Sequence, residues 1–491
     1  MINYQRKNFI NRHFSPFIYC FCLIISLVVL WQGRNYGLFP QPRAGMDQLN
    51  FLNHAEKLIN GILPGYLYKL SSAYTIFLSL LTVITGGKLI IMRILQIALC
   101  ALIPVVIFKL ARQLRCSFMS SQIAALIYCF YGPAILISIS FLRASLLALC
   151  FISFSYFLLK AFYKQKWYYY VYAGVLAGIT VLGRENFIPV VIAPAIMLCF
   201  PSIRQRINYK LAIIYFISIT ALLLPLIIYN YLRFNSPEII PGNFAAIFNF
   251  YYTKDATASV KSPTLVIGII ERVPSQIKMF ASSYELHNSL SFYAHRDIIN
   301  LLNVLLVPFN LMLASAILAL FPNIKKLLKK LPLNRKLHSG KGLFINLGPL
   351  FIAGMATGYF LTIIYFTMFY RFRIPVFPML CVLCAVTIDN LRRNRQILNY
   401  LLSAIFMTGF WLLTYTAPNK LRAGSERRSV IMLLISHGDY NRAEHSIDQL
   451  LLDKIPLNNV EKQLMRTLYE AGDQDEANRL YRKYIIKDQR K

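Results

Sequence analysis

Long apolar runs constrain the fold of this chain more than any other feature. Runs long enough, or nearly so, to cross a bilayer lie at about 15–33, 89–108, 119–139, 141–159, 167–183, 187–201, 210–229, 298–320, 343–366, 374–390 and 397–416. A soluble protein of 491 residues with 57% hydrophobic residues could not bury so much apolar surface, so lipid must surround most of the chain. The sequence predicts an all-α polytopic membrane protein with about 11 transmembrane helices.

Basic residues outnumber acidic ones by 52 to 20, and their placement predicts the topology. With the N-terminus inside, the basic clusters all fall on the cytoplasmic side, at 109–116, 160–167, 202–210, 323–342 and 390–396. The net charge of +32 therefore indicates cytoplasmic loops and anionic lipid rather than nucleic acid. The loops 34–88 and 230–297, and the tail that follows the last run, fall on the outer face.

Two further apolar stretches need an interpretation. A span at 71–87 would invert the charge pattern, so we expect an interfacial or re-entrant helix there. The first run follows Lys7 and Arg12 but precedes no small-residue cleavage site, which favours an uncleaved span.

Most of the nine cysteines lie in apolar runs and are expected to be core residues rather than metal ligands.

The polar tail forms a second domain, 418–491, after a membrane domain at 1–417. Gly438 and Ala443 repeat as Gly472 and Ala477, 34 residues later, in a G-D-x-x-x-A pattern. This period resembles the tetratricopeptide repeat, with helices expected at about 426–436, 440–453, 459–470 and 474–486. An ordinary pair of helical hairpins remains the alternative.

The outer face carries the candidate chemistry. Asp47 begins an amphipathic helical pattern that Gly61 ends, so Asp47 is either a helix cap or a reactive acid. Arg143, Arg184, Arg371 and Arg373 lie in short outer turns, where positive charge is disfavoured. These arginines either have partners there or anchor the chain to lipid phosphates.

The order of these features resembles the GT-C superfamily of polyprenyl-phosphate-sugar-dependent glycosyltransferases, in its protein-mannosyltransferase-like branch. The segments that carry the resemblance are Asp47 in the first loop, the Tyr-rich "PGYLYKLSSAY", Arg93 in "IIMRILQ", "YCFYGPAILISIS", "AGVLAGITVLGREN", "LLLPLIIYNYLRFNSPEIIPGN" and "YRFRIPVFP". Together they cover about residues 15–395. Phe51 and Gln48 depart from the family pattern, which has tyrosine and often glutamate at these positions.

The resemblance implies an inverting transfer of a sugar from a polyprenyl phosphate to an acceptor hydroxyl on the outer face. It implies that Asp47 is the general base and that Arg371, Arg373, Arg184 and Arg93 bind the donor phosphate. Residues of the acceptor or loop region would be Gln48, His54, Tyr74, Glu185, Asn230 and Arg233. Gln48 argues against a divalent metal held by two carboxylates, so no residues are assigned as metal ligands. The sequence predicts no definite cofactor, and a divalent metal is doubtful.

The expected partners are the lipid-linked donor, a glycan, lipid or protein acceptor, membrane lipids, and a protein that binds the tail. The short loops and the attached repeats suggest a bacterial inner membrane with the tail on the periplasmic side. Two alternatives remain open: a transporter or flippase of lipid-linked glycans, and a catalytically degenerate scaffold. The absence of a detectable half-repeat and the charges at the span ends favour the enzyme over the transporter.

Overall fold

The structure is a computed structural model. It describes residues 2–34, 47–62, 71–198, 209–234, 273–285, 292–296, 299–330, 340–364, 370–394, 397–415 and, with short gaps, 428–486. Within these ranges the regular structure is helical. Residues 202–208, 235–272 and 331–339 lie outside them, together with most of the aromatic and basic residues that the sequence places in those loops.

The α-helices follow one another along the chain with short connections. Their bounds are α1 Ile2–Gly33, α2 Asp47–Ile59, α3 Ser72–Thr85, α4 Leu89–Cys100, α5 Leu102–Gln113, α6 Phe118–Cys129, α7 Gly132–Ile139, α8 Arg143–Lys164, α9 Trp167–Gly183, α10 Ile188–Leu198, α11 Tyr209–Phe234, α12 Phe292–Arg296, α13 Phe309–Lys330, α14 Gly340–Ile363, α15 Tyr370–Arg373, α16 Phe377–Asn394, α17 Ile397–Thr414, α18 Tyr440–Leu452, α19 Val460–Glu470 and α20 Gln474–Tyr481. Residues 273–281 are also helical.

Among the described residues, five helices are long and apolar enough to cross a membrane: His13–Gly33, Leu89–Gln113, Arg143–Lys164, Leu211–Leu232 and Ile397–Thr414. Ser72–Thr85, Phe118–Cys129, Phe309–Phe321 and Gly348–Ile363 are shorter apolar helices. An all-α membrane protein is therefore supported, whereas the expected number of 11 spans stays a prediction.

Two expected spans are built differently from the expectation. The run at 119–139 is divided between α6 and α7, and the run at 298–320 begins with a 3₁₀ turn at Asn300–Asn303 and becomes α-helical only from Phe309. The two irregular segments satisfy each other: Gly132 N donates to Leu305 O at 3.2 Å, and Val307 N donates to Phe130 O at 3.2 Å. Apolar composition alone cannot reveal this exchange, because both segments remain hydrophobic throughout.

One end of the helix bundle carries the basic turns. Arg393 donates to Arg115 O at 2.9 Å, which joins the turn after α5 to the end of α16. Gly348 lies beside Leu114 and the Tyr163 hydroxyl, which adds the turn after α8. The basic clusters 109–116, 160–167 and 390–396 thus share one end, as a common cytoplasmic side requires.

The opposite end carries the remaining arginines. Helix α8 begins there at Arg143, and α9 returns to it at Arg184. Thr414, the last residue of α17, accepts a hydrogen bond from Ser283 N at 3.2 Å and so lies beside the segment 273–285 of the large outer loop.

The tail forms two helical hairpins. Gly438 and Gly472 adopt φ values of +74° and +88°, the left-handed conformation that their turns need. Ala443 and Ala477 are buried where the second helix of each hairpin packs. The helices α18 to α20 match the expected positions, and the identity of the repeat remains a prediction.

Candidate functional site

The centre of the candidate site is an ion pair between Asp47 and Arg371. Arg371 Nη1 donates to Asp47 Oδ2, although 324 residues separate them in the sequence. Asp47 is the first residue of α2, and Arg371 lies in α15, a single short turn of helix. Their side chains are 40% and 20% exposed, so both are accessible at the surface of the bundle end. A carboxylate here can accept a proton from a molecule that approaches from outside.

Two further arginines surround this pair. Arg143 lies within electrostatic range of Asp47, Arg371, Arg184 and Glu185. The Arg184 guanidinium stacks on the Phe372 ring at 4.1 Å, and the Arg371 guanidinium lies over the same ring at 5.4 Å. Arg371 thus contacts Asp47, Arg184 and Arg371 share the Phe372 ring, and Arg143 lies within electrostatic range of both arginines, so three guanidinium groups stand against the two carboxylates of Asp47 and Glu185.

The turn after α9 positions these arginines. The carbonyl of Gly183 accepts from Ser71 Oγ at 2.7 Å and from Arg143 Nη1 at 3.4 Å. An added Cβ at Gly183 would lie 2.4 Å from Cδ2 of Leu147, so a larger residue there would force the Leu147 side chain to move. Ser71 precedes α3 with a φ of +57°, an uncommon conformation for a residue other than glycine, and its hydroxyl makes no capping bond to α3 but donates to Gly183 O. The strain lies next to the arginine cluster.

Arg373 is placed differently from the sequence-based expectation. It lies in α15 with Arg371, but its side chain is fully buried, and its Nη1 lies 3.4 Å from Glu285 Oε2. Residues two apart on a helix point in roughly opposite directions, about 200° apart, so Arg371 and Arg373 face different partners. The pair was expected to bind one phosphate together, and this geometry separates them.

Arg93 packs against a small apolar layer outside the main core, and Tyr74 belongs to that layer. Its members are Phe51, Ala55, Tyr74, Leu78, Leu81, Met92 and Phe141. The Arg93 guanidinium lies 4.6 Å over the Phe141 ring, and Tyr74 donates to Gln96 Oε1 at 2.8 Å. Gln48 is buried and accepts from Phe141 N at 3.1 Å, so it fixes α2 on this layer. These contacts give Arg93, Tyr74 and Gln48 packing roles beside the site.

The remaining candidates differ in exposure. His54 is half-buried on α2, and burial, followed by the charge of Lys57, lowers the pKa of its imidazole. Asn230 is buried near the end of α11. The side chain of Arg233 lies outside the described residues. Within the ranges that the structure covers, no three His, Cys, Asp or Glu side chains form a metal-binding group.

Sequence reasoning did not single out Glu285, Tyr131 or Ser71. Glu285 was one acid in a long loop, and no local pattern indicated that it becomes buried. The signal that was available was chemical: a buried acid needs a partner, and the outer cations of the expected topology included Lys278 and Arg296 of the same loop as well as the arginines of "YRFR".

Comparison with known families adds an independent observation. Residues 73–229 match the family model of dolichyl-phosphate-mannose-protein mannosyltransferases. This match supports a relationship to GT-C-like mannosyltransferases. It extends from α3 into α11 and includes Arg93, Arg143 and Arg184, whereas Asp47 and Arg371 lie outside it. No curated protein matches the chain.

Proposed function

We propose that this protein is a membrane glycosyltransferase that moves a sugar from a polyprenyl-phosphate donor to an acceptor hydroxyl, on the outer face of the membrane. One observation carries the proposal: a half-exposed carboxylate, Asp47, lies against Arg371 with Arg143 and Arg184 close by. The family match, which covers residues 73–229 or about a third of the chain, supports a donor of this class. The likeness to mannosyltransferases suggests a hexose such as mannose.

In the proposed reaction Asp47 accepts the proton of the acceptor hydroxyl, and the hydroxyl oxygen attacks the anomeric carbon of the donor. The bond between that carbon and the phosphate oxygen breaks, its electron pair leaves with the polyprenyl phosphate, and the configuration inverts. A lipid phosphate becomes a good leaving group when fixed cations hold its developing charge. Arg143, Arg184 and Arg371 would supply these cations, and guanidinium groups match phosphate oxygens geometrically.

The ion pair suggests an order of events. Arg371 donates to Oδ2 of Asp47 and so competes with an incoming hydroxyl for this carboxylate. A donor phosphate can compete for the Arg371 guanidinium because phosphate offers it a bidentate pair of acceptors. Donor binding would then release Asp47 for the acceptor, so the donor should bind first.

The decisive experiment measures transfer from polyprenyl-phosphoryl mannose by the purified protein in detergent or vesicles. Asp47→Asn should lower kcat by about 10²–10⁴-fold, the range of a lost general base. Its effect on folding should stay below about 1 kcal/mol, because the ion pair with Arg371 is partly exposed. Glu56→Gln is the matched control, since Glu56 is an exposed carboxylate on the same helix.

The outcomes separate the alternatives. Equal transfer by wild type and Asp47→Asn rejects Asp47 as the base. If the wild type neither transfers nor hydrolyses the donor, the transporter and the scaffold become the better hypotheses. Movement of a labelled lipid-linked glycan across vesicles then distinguishes those two.

The tail would act as a protein-binding arm near the reaction. Its preceding helix ends at Thr414, beside Ser283 of the outer loop, which favours entry of the tail on the face that carries Asp47. A bacterial inner membrane with a periplasmic tail fits this placement. A reporter fused after the last helix should be active outside the cytoplasm, and cytoplasmic activity would refute the orientation.

A further inference from the structure

The deepest charged contact at the outer end lies beside the proposed site. Arg373 is fully buried, and Glu285 is 5% exposed at its side chain. Arg373 Nη1 donates to Ser282 O at 3.0 Å, and Nη2 donates to Ser282 Oγ at 3.2 Å and to Met279 O. One guanidinium thus holds two backbone carbonyls, a hydroxyl and a carboxylate from a single outer-loop segment.

The carboxylate continues the network into the bundle. Glu285 Oε1 accepts from the Tyr131 hydroxyl at 2.8 Å. The Tyr131 ring stacks on Phe377 with ring centroids 3.7 Å apart, and Phe377 begins α16 directly behind the arginine turn. Tyr131 also forms the bridge to Leu306, so its backbone is fixed from both sides. Tyr131, Glu285 and Arg373 are called the loop anchor below.

The loop anchor joins three parts of the chain that are distant in sequence. It connects the break between α6 and α7, the outer-loop segment 279–285, and α15. Because α15 has only four residues, Tyr370–Arg373, fixing Arg373 also fixes the direction of Arg371 on the other side of that turn. A short helix has few internal contacts of its own to hold such a direction.

We propose that Arg373 and Glu285 are positioning residues, which fasten the outer-loop segment to α15 and thereby hold Arg371 against Asp47. This inference rests on the proposed function for its effect on the reaction, and on contacts alone for its effect on the loop. It differs from a role of Arg373 in donor binding, because the guanidinium is turned into the protein and both its Nη1 and Nη2 groups donate to protein acceptors.

The two roles of Arg373 make different predictions for Glu285. A positioning contact fails when either partner is lost, so Glu285→Gln should reproduce the defect of Arg373→Gln. If Arg373 were a donor ligand, Glu285→Gln would leave the KM for the donor unchanged while Arg373→Gln raised it. Arg373→Lys keeps the charge but cannot reach several acceptors at once, so it should rescue only in part.

The first arm of the test does not depend on activity. Ala281→Cys places a thiol on the loop segment at a residue that is 9% exposed, next to Ser282. Labelling by a thiol reagent, measured against the same background without this cysteine, should be about tenfold faster with Arg373→Gln or Glu285→Gln, as expected for a loosened local unit. Arg296→Gln is the control, since Arg296 binds Asn303 at the surface. Unchanged labelling in both anchor variants overturns the proposal, whether or not the protein transfers a sugar.

The second arm is a double-mutant cycle in the transfer assay. Arg373→Gln should lower kcat about 10²-fold, the effect of a misplacement near 1 Å. In an Arg371→Gln background the same change should cost far less, because the residue through which Arg373 acts is already absent. Additive losses refute the positioning role. If Arg373→Gln does not fold, Glu285→Gln, which is close to isosteric, supplies both arms.

Discussion

The close approach of α9 and α11 gives a prediction whose size follows from the distance between the two helices. Gly174 and Gly178 lie one turn apart on α9 and face α11, the small-xxx-small arrangement of membrane helices. A Cβ added at Gly174 would lie 2.5 Å from the carbonyl oxygen of Tyr215 and 2.6 Å from Cβ of Ser218. Ordinary contact begins at 3.4 Å, so the helices must separate by about 1 Å.

Gly174→Ala should therefore destabilise the protein by about 1–3 kcal/mol, the usual cost of overpacking. The obstacle includes a backbone carbonyl, which cannot rotate away as a flexible side chain can. Because α9 ends at Arg184, the same displacement should also move that guanidinium from Phe372 and lower transfer.

The assay is denaturant- or heat-induced unfolding in detergent micelles, with Gly354→Ala as the matched control. Gly354 also lies within an apolar helix, α14, but a Cβ there meets nothing within 4 Å. The control should be neutral or stabilised by at most about 1 kcal/mol, from helix propensity. If Gly174→Ala is as stable as Gly354→Ala, the reasoning about the α9–α11 contact is wrong.

Three further predictions concern single polar groups. Burial raises the pKa of Glu285 above its ordinary 4.5, so its contribution to stability is full below that pH and is lost as the pH rises through the raised pKa. The unfolding free energy of the wild type should therefore fall over that pH range, whereas that of Glu285→Gln, which has no carboxyl to ionise, should not; a difference between the two that stays flat with pH contradicts this. Ser71→Ala leaves the Gly183 carbonyl without its hydroxyl donor and should lower the unfolding free energy, measured by thermal unfolding, by about 1–3 kcal/mol. Ser71→Gly should not lower the melting temperature below that of Ser71→Ala, because glycine relieves the positive φ. Glu444→Gln removes the 2.6 Å ion pair with Arg479 between the two hairpins of the tail. Proteolysis of the tail should therefore be faster than in the wild type at low salt, and the two rates should become similar at high salt, where the ion pair is screened.

The helical class and the two ends of the bundle could be predicted from the sequence, because both depend on properties that accumulate along the chain. Apolar length predicts a helix, and the bias of lysine and arginine predicts its direction. Arg115 and Arg393 meet at one end, as the charge pattern predicted, and Arg143 and Arg184 meet at the other. The helical turns of the tail could be predicted from the spacing of Gly438 and Gly472, because a left-handed turn favours glycine.

The parts of the site that could not be predicted depend on contacts between distant segments. The run at 119–139 reads as one span, yet it breaks where Gly132 bonds to Leu305. Nothing local to either segment shows that the other supplies its hydrogen bonds. The burial of Glu285 could not be predicted either, because it depends on contacts with Arg373 and Tyr131, which lie 88 and 154 residues away in the sequence.

The separation of Arg371 from Arg373 changes how the charge of the outer end is divided. Both arginines are disfavoured on that face by the positive-inside bias, and both have carboxylate partners. The partner of Arg373 is buried and its pair is closed to solvent, so exchanging it for a ligand would leave a buried charge unpaired. The partner of Arg371 is 40% exposed, so that pair can open at little cost, as the proposed exchange of the carboxylate for a donor phosphate requires. The same two-residue spacing therefore yields one arginine in a partly exposed pair and one in a closed pair, and the proposed donor site accordingly uses Arg371 with Arg184 and Arg143 rather than Arg371 with Arg373.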